Sequence, residues 1–91
     1  MKKIPHKIKV LAKYVAVKYV ERFKDETTLG QWDGMKSEIS LKISPDIWEY
    51  FLHECIECIN DRCDLRMKHH QIATLSEVLY AVIKENGIDF R

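Results

Sequence analysis

"SEISLKISPDIWEYFLHECIECIND", residues 37–61, holds the change of periodicity that decides the fold. Its first part, Glu38 to Ile43, alternates apolar and polar residues, the pattern of a strand with one buried and one wet face. Ser44-Pro45-Asp46 then reads as a helix start: Ser as N-cap, Pro at the first helical position, and an acid near the positive end of the helix dipole. From there the spacing predicts a helix to about Asp61.

Before this stretch the chain is strand-like. Lys7 to Leu11 and Lys13 to Glu21 are rich in β-branched and aromatic residues and predict two strands with a bend near Ala12. Lys24 to Thr27 is polar and predicts a loop, and Leu29 to Gly34 predicts a short strand or a turn. After it, Asp64 to Lys68 predicts a short connection. A second helix then starts near His69 or His70, with Ile72, Leu75, Leu79, Val82 and Ile83 as its apolar stripe. Asn86-Gly87 predicts its end, with Gly87 at a left-handed position. The fold class expected is α+β: a small antiparallel or mixed sheet of three to four strands (about 7–43) and two packed helices (about 45–61 and 70–86), in one domain over 1–91.

The 91 residues suit one small core. Formal net charge is +1, from 15 basic and 14 acidic residues, which offers no general attraction to nucleic acid or anionic membrane. The basic residues among the first two dozen, Lys2 and Lys3 included, read as a solvated face. No apolar run is long enough to span a bilayer, and Met1-Lys2-Lys3 lacks the apolar stretch of a signal peptide. Three clustered cysteines do not make a disulfide framework, and a reducing, cytoplasmic setting is expected.

Helical phase sorts the chemistry on the first helix. Taking His53 as zero, Glu57 lies at about 40° and Glu54 at about 100°. His53 and Glu57 form an i, i+4 pair able to converge on one ion, although an exposed salt-linked pair has the same spacing. Trp48, Phe51, Leu52, Cys55, Ile56 and Ile59 fall on the opposite side, between about 160° and 300°, and predict the core stripe with Cys55 near its middle. Cys58 falls on the flank, and a zinc site made from Cys55, Cys58 and Cys63 lacks a second CxxC pair. On the second helix, His69 is better phased than His70 to face the first, and antiparallel packing brings it near the end of that helix. The set His53, Glu57, His69 would be a His₂Glu zinc site with an open position for water. Glu54, off the ligand axis, would be the general base, and the strand Glu38 to Ile43 could offer an edge to a peptide. Tyr50 shares the metal-facing sector but suits an ordinary half-exposed position, as Trp32 and Trp48 suit the core.

Several features together resemble short phage and prophage proteins of the zincin metallopeptidase-like type. They are "LGQWDG" (29–34), "EISLKI" (38–43), "LHECIECIND" (52–61) and "DLRMKHHQIATLSEVLYAVIKENG" (64–87). Members of that family show a His-Glu-x-x-His or His-Glu-x-x-Glu helix and a downstream helix ending in a Leu-Tyr-x-x-Leu/Ile-x-x-Asn pattern, matched here by Leu79 to Asn86. The resemblance covers about two thirds of the chain and is strongest over Leu52 to Asn60. It implies a zinc-binding fold with peptidase activity toward a peptide or protein, inside a bacterial host cell. His53 matches the first ligand, Glu54 the acid/base, Glu57 the second ligand and His69 the downstream histidine. Glu57 departs from the commoner histidine, which leaves open a second expectation: a non-catalytic interaction protein that keeps the fold and the metal.

Overall fold

In the computed structural model, residues 4–88 are described, so Lys2 and Lys3 lie outside the described residues. Four strands, β1 (Lys7–Val10), β2 (Lys13–Val20), β3 (Gly30–Asp33) and β4 (Glu38–Lys42), precede α1 (Ile47–Arg62) and α2 (His69–Glu85). The result is a four-stranded mixed sheet followed by two packed helices, the expected α+β class.

The β1–β2 hairpin closes through Leu11 and Ala12, both with positive φ (52° and 66°). A two-residue loop with both φ values positive follows the right-handed twist of the strands, which is why the bend falls where the β-rich run is interrupted. The chain then crosses to the far edge, runs back as β3, and turns through residues 34–37. The Asp33 carboxylate accepts hydrogen bonds there from the backbone N–H groups of Met35 (3.0 Å) and Lys36 (3.1 Å). β4 inserts between β2, to which it is parallel, and β3, to which it is antiparallel, so the strand order is β1-β2-β4-β3. The expectation that Glu38 to Ile43 offers an edge is therefore wrong. β4 has partners on both sides, and the edge strands are β1 and β3.

Alternation places Val15, Val17, Ile39 and Leu41 on one sheet face, where they form the core with Ile4 and Cys58. Full burial of each aliphatic side chain contributes roughly 1.5–3 kcal/mol. α1 covers this face and contacts β3, β4 and α2. Its start is later than expected: Ser44 and Pro45 precede the helix, the Ser44 hydroxyl accepts from the Asp46 N–H (3.0 Å), and Asp46 is the N-cap. The expected core stripe is met in part: Trp48, Phe51 and Cys55 pack against the core. Cys58 and Glu54 are the buried positions of α1, while Cys55 is half-buried and Ile59 exposed. A helix with a sheet on one side and a second helix on another has two contact faces, and a single apolar stripe does not locate both.

The α1–α2 connection is tightly built. Asp64 takes φ 50° just past the end of α1, and the Leu65 N–H reaches back to the Asn60 carbonyl (3.1 Å). The Asn60 side chain accepts from the Met67 N–H (2.8 Å) and donates to the Met67 carbonyl (3.4 Å). The Gln71 side chain accepts from the Lys68 N–H (2.8 Å) at the start of α2. These contacts fix His69 as the first residue of that helix. At the other end Gly87 has φ 60°, and the Ile88 N–H bonds the Ile83 carbonyl (3.1 Å), the left-handed stop expected from Asn86-Gly87. Only Ile72 of the predicted stripe is fully buried. Leu75, Leu79 and Val82 are exposed, because α2 packs chiefly on α1. Among the described residues, no helix is long and apolar enough to cross a membrane.

Candidate metal centre

A cleft of about 580 Å³ lies between the β3 edge and the two helices, lined by residues that include Thr28, Gly30, Tyr50, His53, Glu54, Glu57, His69 and Ser76. His53, Glu54 and Glu57 project from little more than one turn of α1, and His69 enters from the first turn of α2. Each of His53, Glu57 and His69 offers one ligand atom, and the three atoms lie within 4.8 Å of one another. The His53 and His69 rings are 5.3 Å apart between centroids, and His69 Nδ1 is 3.9 Å from Glu57 Oε2.

Two imidazoles and one carboxylate are a donor set that zinc accepts. Donors around a tetrahedral zinc stand about 3.4 Å apart, given ligand distances of 2.0–2.2 Å. The cluster is thus open by about an ångström relative to a closed site. The less enclosed partner is His69, whose side chain is 77% exposed, so that little around it opposes a change of rotamer. His53 is the anchored one. Its side chain is 19% exposed, and its Nδ1 lies 3.3 Å from the Ser76 hydroxyl. Burial holds the His53 imidazole below its usual range; Glu57 acts against that shift and His69 adds to it. The ring is neutral at pH 7, the state a metal ligand requires.

Glu54 is the buried acid of the cleft, 6% exposed, with Oε2 4.0 Å from His53 Nε2. Its pKa is pushed up to about 8, first by burial and then by the neighbouring Glu57 charge. Space for it comes from a distant position: a Cβ on Gly30 would stand 2.9 Å from Glu54 Oε2 and 3.1 Å from its Cγ. Gly30→Ala should therefore destabilise the fold by about 1–3 kcal/mol through overcrowding. Alanine would otherwise suit a strand better than glycine, so an unchanged or raised urea midpoint would show that Glu54 does not rest against β3.

The cysteines stand apart from this group. Burial, helped by Cys58 and Glu54, pushes the Cys55 thiol up to about 12, and burial also raises Cys58 despite the opposing Arg62. Both are held as neutral thiols in the metal-free protein. Among the described residues, no cysteine belongs to a group of three converging ligands. His70 and His6 are exposed and outside the group. Tyr50 lines the cleft, while Trp32 packs at the core margin and donates from Nε1 to Asp61 Oδ2 (2.9 Å). Sequence phase missed Ser76, which sits among the apolar residues of α2 and is one of its two buried positions. Its one sequence signal is its spacing of four from Ile72. Compared with family models, curated proteins and solved structures, the chain matches none.

Proposed function

We propose that this chain is a small zinc-dependent hydrolase of peptide bonds, with zinc held by His53, Glu57 and His69 and with Glu54 as general base. The observation that carries this reading is the convergence of two histidines and a carboxylate beside a buried fourth group of raised pKa. When bound, zinc acidifies water to a pKa of about 7 and polarises a carbonyl.

The rest is work for the chain's own residues. Glu54 is protonated at neutral pH in the metal-free protein, and positive charge beside it favours the ionised carboxylate that a general base needs. Glu54 takes a proton from water as oxygen bonds to the carbonyl carbon, then delivers that proton to the amine nitrogen as the C–N bond breaks. The seat for an extended peptide is the free edge of β3, since residues Gly30 to Trp32 both lie on that strand and line the cleft. The exposure of His69 favours a second reading, a zinc-holding interaction protein without turnover.

Mass spectrometry of a mixed peptide library separates the two. Hydrolysis by the zinc-loaded protein should stop on chelation and return with zinc. A protein carrying one zinc per chain that cleaves nothing supports the interaction reading instead.

A further inference from the structure

The buried Ser76 hydroxyl has a single proton and two polar neighbours. One is the Ala73 carbonyl, three residues back on α2, at 3.1 Å; the other is His53 Nδ1 at 3.3 Å. Ser76 is 2% exposed, and among the described residues no other hydrogen bond involves its side chain. A carbonyl oxygen only accepts, and two oxygens 3.1 Å apart with no proton between them repel. The serine proton therefore lies on the Ala73 carbonyl, as in the back-bonding that helical serines commonly make. The Ser76 oxygen is left as an acceptor, and His53 must be the donor.

We propose that Ser76 is a positioning residue that locks His53 in the Nδ1–H tautomer and leaves Nε2 bare on the side of Glu54, whose Oε2 stands 4.0 Å away. The tautomer is a property of the metal-free protein; its consequence for zinc rests on the function proposed above. Metal-binding histidines are generally held by a partner on the second ring nitrogen, and losing that partner commonly weakens metal binding by about 10–100-fold. Here the partner comes from α2, the helix that also supplies His69. The α1–α2 contact therefore orients one ligand and delivers another.

The test uses ¹⁵N-histidine NMR of the metal-free protein at neutral pH, beside zinc competition titrations, for wild type, Ser76→Ala and Ser76→Thr. Amide spectra report whether each variant folds. Wild-type His53 should show Nδ1–H alone. Ser76→Ala should show mixed tautomers and zinc affinity about 10–100-fold weaker. Ser76→Thr, which keeps the hydroxyl, should restore both. An Nε2–H tautomer in wild type overturns the assignment, and so does a Ser76→Ala protein with unchanged tautomer and unchanged affinity. A wild type that shows Nδ1–H yet binds no zinc supports the Ser76 contact and overturns the metal centre.

Discussion

Glu54→Gln is expected to keep its zinc and its fold while losing about 10²–10⁴-fold in peptide hydrolysis, the usual contribution of a positioned acid–base group. Glutamine has nearly the same shape as glutamate, so the contact with Gly30 is preserved. None of the three converging ligand atoms belongs to residue 54, so metal content should not change. What disappears is the group that moves the proton. Parallel loss of zinc and activity would place Glu54 among the ligands. Full activity in the variant would remove it from the chemistry.

The same substitution should reverse the pH dependence of stability in the metal-free protein. The folded-state pKa of Glu54 is raised from 4.5 to about 8. Its contribution to stability is thus complete below the unfolded value and is lost as pH rises through the folded one. His53 works in the other direction. Its folded-state pKa is lowered from 6.5, so its contribution is present above that value and is lost as pH falls. Wild type and Glu54→Gln should be similar near pH 5, and the variant should become the more stable by a few kcal/mol on the way to about pH 9. Urea denaturation in the presence of a chelator measures the difference. Parallel curves across this range would mean that Glu54 is solvated rather than buried under β3.

Local signals were legible in the sequence where their causes are local. Alternation over Glu38 to Ile43 marked Ile39 and Leu41 as buried, and Asn86-Gly87 marked the end of α2. The grouping of His53 and Glu57 followed from helical spacing, and that of His69 from a short loop. What stayed hidden depends on distant partners. Nothing in residues 38–43 tells that β4 is inserted between β2 and β3, because the parallel pairing with β2 joins segments separated by the whole of β3. Burial of Glu54 depends on the missing side chain of Gly30, 24 residues earlier in the chain. Cys58, expected on the flank, is the fully buried cysteine, while Cys55 packs half-buried against the core, because α1 presents different faces to the sheet and to α2. The apolar residues of α2 suggested a covered face, yet Leu75, Val78, Leu79 and Val82 are exposed. Ser76, a polar residue in that same helix, is held inside beside Ile72.

X-ray absorption at the zinc edge tests the metal centre most directly, since nitrogen and oxygen ligands lie at about 2.0–2.2 Å and thiolate sulfur at about 2.3 Å. Protein loaded with one zinc per chain should show a shell of nitrogen and oxygen only, unchanged in Cys55→Ser and lost in His53→Ala. A sulfur shell, or a wild type that takes up no zinc, would contradict the account.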